Sequence, residues 1–195
     1  MKSYKFFTIL ILLGFTALTA QTKWNVDKSH SKIEFEVSHM VISSVTGYFR
    51  NYDVNIESDN ADFENAKISF SADVKSIDTE NKKRDNHLKS KDFFNAKKFP
   101  KLTFVGKSFT KVEGNKYKLV GDMTMHGITE ELSFDVKFNG TIDDPWGNTR
   151  AAFVITGELN RFDFQLKWNK LLEAGGAVVG KTVSITCKLE LIKAK

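Results

Sequence analysis

Apolar and polar residues alternate along nearly the whole chain after residue 20. In SKIEFEV (31–37) Ile33, Phe35 and Val37 share one face, and in AKISFSADVKS (66–76) Ile68, Phe70, Ala72 and Val74 do. KYKLVGDMTM (116–125) aligns Tyr117, Leu119, Met123 and Met125, and ELSFDVKFNG (131–140) aligns Leu132, Phe134, Val136 and Phe138. KTVSITCKLEL (181–191) aligns Val183, Ile185, Cys187, Leu189 and Leu191. A period of two is that of a strand with one buried and one wet face, hence of antiparallel sheet. YDVNIES (52–58), KLTFVGKSF (101–109) and TRAAFVITGEL (149–159) bring the count to about eight strands. The apolar parity switches between Phe49 and Tyr52, which predicts a bulge in the second strand. Turn chemistry falls at EGN (113–115), FNGTIDDPWGN (138–148) and EAGGAVVG (173–180).

One segment breaks the alternation, DTENKKRDNHLKSKDFFNAKKFP (78–100). It predicts a helical insertion at about 79–96, with a helix over 80–89 capped by Asp78 or Thr79 and a turn holding Phe93 and Phe94. Sheets with one apolar face must stack or close. Sandwich and barrel both satisfy that requirement, and long strands with a single helical insertion favour the barrel.

The first twenty residues read as an address. Lys2 and Lys5 precede the apolar run FFTILILLGF (6–15), and small residues follow to Ala20, the expected cleavage point before Gln21. The run is shorter than the about 20 apolar residues of a membrane span. The expectation is a signal peptide over 1–20 and an exported, periplasmic domain over 21–195. The formal charge is +5. Without Lys2 and Lys5, 27 basic face 24 acidic residues along the chain, interleaved as a solvated surface and not gathered for nucleic acid.

Chemistry-bearing patterns are sparse. One cysteine, Cys187, excludes an internal disulfide, and its phase predicts a buried, inert thiol. His30, His39, His87 and His126 lack metal-ligand spacing, so no metal and no cofactor is expected. No nucleophile elbow or phosphate loop is present, so no catalytic residue is assigned. Arg84, Asp85 and His87 in the insertion, with Arg161 and Asp163 in RFDF (161–164), could form a polar rim or an acid–base site. Phenylalanine is the compositional excess: 17 in the chain, 14 of them after residue 20. Either these rings meet and fill the barrel or they stand apart and line a tube; the tube is the expectation.

Taken in order, the motifs resemble the YceI-like family of exported polyisoprenoid-binding proteins. WNVDKSHSKIEFEVSHM (24–40) is similar to its opening strand and GYF (47–49) to its second. SIDTENKKRDNHLKSKDFFNAKKFP (76–100) carries its Ser-Ile-x-Thr turn, Arg-Asp-x-His-Leu helix and Asp-Phe-Phe. KLVGDMTMHGIT (118–129) resembles its hairpin with Met123 for leucine, and RFDFQLKWN (161–169) its Arg-x-Asp-Phe-Gly strand with Gln165 for glycine. The resemblance implies an extended, lipocalin-like eight-stranded antiparallel barrel holding an isoprenoid or quinone-like lipid. Gln165 is then a place where a side chain could shorten the cavity.

On that footing the expected lining is Phe35, Val37, Phe70, Val74, Phe104, Leu119, Met123, Phe134, Val136, Phe153 and Ile185. Arg84, Asp85, His87, Arg161 and Asp163 are expected at the mouth. Burial of a tail is worth up to ~0.8 kcal/mol per methylene, so a few isoprene units suffice for firm binding. The function expected is a non-enzymatic lipid binder or carrier with possible transient membrane contact, its oligomeric state open. Two rivals stand beside it: an enzyme using His87, Asp85 and Arg161, and a solid-core barrel whose 141–149 loop engages a partner. A cavity of a few hundred Å³ separates the first reading from the last.

Overall fold

The computed structural model describes residues 21–173 and 175–195, so the leader expected at 1–20 lies outside the described residues. The strand segments are β1 (Lys23–Val26), β2 (Lys32–His39), β3 (Ser43–Phe49), β4 (Tyr52–Glu57), β5 (Lys67–Asp73) and β6 (Ile77–Asp78). They continue with β7 (Lys101–Glu113), β8 (Lys116–Met125), β9 (Ile128–Asp143), β10 (Thr149–Asn160) and β11 (Val179–Lys193). Helix α1 spans Lys82–Lys89. All pairings are antiparallel, in the order β1-β4-β5-β7-β8-β9-β10-β11-β2-β3-β6, and β1 also pairs with β11 to close the sheet.

Three pairs of segments are single strands with a kink. β1 and β2 share β11 as partner. β3 leads through Arg50 and Asn51 into β4, where the apolar parity switches, and β5 reaches β6 through the short 3₁₀ turn Val74–Ser76. Counted so, the molecule is a closed eight-stranded antiparallel barrel, and the sandwich is excluded. β9 runs six residues into what the sequence marks as a turn. Asn139 is left without a partner between Phe138↔Phe153 and Gly140↔Ala152, and this bulge, with Gly140 at φ +110°, lets pairing continue to Asp143.

The insertion repairs a gap in the wall. On its outer edge β3 pairs only at Tyr48 and Phe49, with β6. Beyond them the Thr79 side chain lies against Gly47, and Phe94 packs edge-on against Phe49 at 6.3 Å. The helix begins two residues later than expected, and its cap is Asn81, whose side chain accepts from the Arg84 N–H at 3.0 Å. Asp78 and Thr79 do other work. Thr79 is buried and donates through both N–H and hydroxyl to Asp85, at 2.9 and 2.6 Å.

The opposite end is closed by aromatic rings. The connection 58–66 folds across it, its Asn65 N–H donating to the Phe109 carbonyl and its Asp62 carbonyl accepting from the Tyr117 hydroxyl at 2.7 Å. Phe63, 1% exposed, then meets Trp24 at 4.8 Å, Phe153 at 4.9 Å and Phe138 at 5.5 Å. Beside this plug, Arg150 ties the barrel seam together. Its guanidinium donates to Asp27 at 2.9 Å, Glu190 at 2.6 Å and Asp144 at 2.6 Å, joining the β1–β2 link, β11 and the β9–β10 turn.

Hydrogen bonds from Ser29, His30 and Arg150 hold Asp27 well below its ordinary 3.8. Burial alone would raise Asp144, but its bonds to Arg150 and Asn148 outweigh that and lower it. The Asp27 carboxylate raises His30 above 6.5. Both aspartates therefore contribute stability that is complete above 3.8 and is lost as pH falls toward their folded-state values. His30 contributes fully below 6.5 and loses its contribution as pH rises above that. Arg150→Met is expected to lower the melting temperature at neutral pH, and the deficit should shrink below pH 3.8. Thermal melts across that range check this; a deficit independent of pH would contradict it.

Candidate functional site

Between the plug and the insertion the barrel is hollow. The cavity measures about 180 Å³ for the centre of a water molecule. That is a hollow, and a smaller one than the about 300–1,000 Å³ of a typical small-molecule pocket. The wall is apolar, and ten of the fourteen phenylalanines after residue 20 border it. Phe35, Val37, Phe70 and Ile185 point inward yet are only half-buried, because they face empty space.

The tube stays open because rings lie over glycines. Phe35 stands opposite Gly47 across β2 and β3, and a Cβ on Gly47 would come within 2.3 Å of its ring. On β8 a Cβ at Gly121 would meet the Phe104 ring at 2.5 Å, and on β10 one at Gly157 would meet the Phe134 ring at 2.5 Å. Each ring occupies the space a side chain would take and so lies along the wall and not across the lumen. The alternatives for the phenylalanines are thus divided by level. Toward the plug the rings meet, as in Phe109 on Tyr117 at 4.9 Å and Phe138 on Phe153 at 4.9 Å. Above it they spread into wall pairs such as Phe104–Phe134 at 5.6 Å.

Ten of the eleven residues expected to line the cavity do border it: Phe35, Val37, Phe70, Phe104, Leu119, Met123, Phe134, Val136, Phe153 and Ile185. Val74 does not. β5 ends at Asp73, so the alternation stops there, and Val74 is buried in the 3₁₀ turn. Alternation also reaches Ile33, Ile155, Val183 and Cys187, which border the cavity in phase with their neighbours. Leu88, Phe93 and Phe94 come from the insertion, where no strand period points to them. Burial pushes the Cys187 thiol up to about 12, so at neutral pH it is protonated and unreactive.

Of the five residues expected at the mouth, Arg161 alone borders the cavity. Arg84 donates to the Thr79 hydroxyl and carbonyl, and Asp85 accepts from Thr79, so both serve to fasten the helix. His87 packs edge-on against Phe93 at 5.1 Å and Trp168 at 4.9 Å and bonds Asp92 at 3.0 Å. Asp163 is exposed and accepts from Asn160. His87, Asp85 and Arg161, the set considered for proton transfer, make no hydrogen bond to one another. Arg161 is 3% exposed and donates to the carbonyls of Gly180, Val179 and Leu166; among the described residues no carboxylate pairs with it. Burial lowers its pKa, as expected for a cation held by carbonyls alone.

Gln165 leaves the cavity untouched. It is exposed, in a turn, with φ +59°, the left-handed region that glycine enters without cost.

A family model described as YceI-like domain matches residues 24–191. The chain belongs to the YceI-like family. Two relatives from Staphylococcus aureus, UPF0312 protein SAS2572 of strain MSSA476 and UPF0312 protein SA2479 of strain N315, are each 41% identical over 170 residues. Those alignments cover 87% of this chain and 96% of the relatives. The YceI protein of Campylobacter jejuni superposes with a TM-score of 0.69 at 25% identity, covering 100% of both chains. BcnA of Burkholderia cenocepacia shares the fold, with a TM-score of 0.73 at 23% identity over 85% of this chain and 99% of its own. So does a polyisoprenoid binding domain from Saccharophagus degradans, with a TM-score of 0.63 at 13% identity over 88% of this chain and 98% of its own.

The ring-on-glycine packing carries a direct test. Gly157→Ala should drive the Phe134 ring into the lumen, reduce the amount of apolar ligand bound, and cost about 1–3 kcal/mol through overpacking. Adding Phe134→Leu should restore both. Equal ligand uptake by wild type and Gly157→Ala would show that Phe134 does not guard the bore.

Proposed function

We propose that this protein is an exported, non-enzymatic binder or carrier of a long isoprenoid lipid held in the barrel. The observation that supports this most is the chemistry of the hollow: an apolar bore with, among the described residues, a single buried cation, Arg161, on its wall. A chain of repeated apolar units fits such a bore, since its affinity comes from area and needs few polar contacts. The guanidinium supplies a place for a polar or anionic head, as in a prenyl phosphate or a quinone-like ring. The Saccharophagus degradans neighbour is described as a polyisoprenoid binding domain, which agrees with this ligand class.

The rival readings have less support. A solid-core interaction module conflicts with the hollow. A lipid-modifying enzyme would need His87, Asp85 and Arg161 to converge, and each is engaged elsewhere. Residues 1–20 would carry the chain to the periplasm, with cleavage after Ala20.

Solvent extraction of the protein purified from its native compartment, followed by mass spectrometry, should recover a prenyl-chain lipid in about equimolar amount. The intact mass of the same preparation should correspond to a chain beginning at Gln21. Repeated recovery of no lipid, together with no uptake of an added prenol, would refute the binding role.

A further inference from the structure

The end of the barrel that carries the insertion has an apolar lip. At the β2–β3 turn Met40, Val41 and Ile42 stand 43, 69 and 89% exposed, and Leu171, on the connection between β10 and β11, stands 87% exposed. The two loops touch: the Met40 N–H donates to the Val178 carbonyl at 2.9 Å, and a Cβ on Gly176 would lie 2.8 Å from Val41 Cγ2. The backbone of the lip is strained. Met40 has φ +52° and Val41 has φ +70°, a conformation that a β-branched residue rarely adopts. The lip is continuous with the cavity, since Val37 and Val179, a few residues below it on each side, border the lumen.

Charge is partitioned in the same direction. Three segments at this end, 36–46, 80–101 and 159–181, hold 12 Lys and Arg against 6 Asp and Glu; the β8–β9 turn, which His126 joins to Phe99 and the Phe164 carbonyl at the same end, is flanked by Asp122, Glu130 and Glu131. The rest of the chain holds 17 against 18. The insertion and the β10–β11 connection beside the lip are therefore net positive. The other end also exposes apolar side chains, Ile142 at 69% and Trp146 at 76%, but beside Asp143 and Asp144.

We propose that this end docks on a bilayer containing anionic phospholipid, with Val41, Ile42 and Leu171 entering the headgroup region and the surrounding lysines meeting its negative charge. The mouth then opens against lipid, and an isoprenoid tail passes between bilayer and bore without crossing water. The proposal rests on the lipid-binding reading above, and its test is kept separate from it. The mature chain should co-sediment with vesicles of phosphatidylethanolamine and phosphatidylglycerol, much less with phosphatidylcholine alone, and should be released by salt. Ile42→Asp and Leu171→Asp should each weaken vesicle binding by about tenfold or more, the loss expected for one buried aliphatic side chain. Both should keep the wild-type melting temperature and the same uptake of a prenol added without vesicles. Trp146→Asp, at the acidic end, should bind vesicles as wild type does. Absence of vesicle binding at low salt would overturn the proposal, whatever the cavity holds, as would lip variants that bind like wild type. A dimer that Ile42→Asp dissolves would overturn it too, assigning the lip to a second copy of the chain.

Discussion

An eight-stranded barrel encloses just enough space for its own inward side chains to fill it. Everything distinctive about this molecule follows from how that default is avoided. Large rings on β2, β7 and β9 lean over glycines on the neighbouring strands, so bulk that would close the lumen becomes its lining. The arrangement is asymmetric along the axis. Where no inward glycine receives them, at the level of Phe63, Phe109 and Phe153, the rings meet edge-on and the tube ends.

That asymmetry divides the molecule into a stable base and an adaptable mouth. At the base, ring packing and the Arg150 cluster link the two ends of the chain across the seam, and the Asp27, Asp144 and Glu190 charges are all met by one guanidinium. At the mouth the hydrogen-bonded sheet is incomplete: over Ser43–Gly47 β3 has no strand on its outer edge, and the insertion stands in there, with Thr79 against Gly47 and Phe94 against the Phe49 ring. A wall made partly of side chains can part more readily than one made of a strand ladder, because no row of backbone hydrogen bonds has to break. Phe94 and Leu88 sit where such a wall borders the lumen.

Period-two alternation made the antiparallel strands, the kink in the second of them and most of the lining visible in the sequence, because an inward position in an antiparallel sheet repeats every second residue wherever the strand persists; it fits barrel and sandwich alike. It failed where the strand stopped. Val74 keeps the apolar phase of Phe70 and Ala72 but belongs to a turn, and Leu88 and Phe94 border the cavity from a segment with no strand period. Arg84 and Asp85 show a second kind of limit. Their types suit a binding rim, but only the position of Thr79 reveals that both are committed to fastening the helix. The glycines carry no such signal for a related reason. A gap in an apolar row reads as the absence of a lining residue, whereas Gly47 and Gly157 determine where the rings of Phe35 and Phe134 lie.

Arg161 joins these levels. Its motif predicts a position at the mouth, and it does border the lumen, but its three carbonyl partners give it a structural task as well. Those carbonyls belong to the turn 161–166 and the start of β11, so one side chain both folds that connection and leaves a positive charge with no paired carboxylate in an apolar wall. An isolated buried cation is costly unless something offsets it. Carbonyl dipoles offset part of that cost here, and a lipid whose polar head reaches the same wall would offset more. An apolar bore discriminates poorly among tails of similar width, since one methylene more or less changes little. A fixed charge discriminates among heads. On the proposed reading, the tube therefore supplies the affinity and Arg161 the preference for which end of the lipid lies near it.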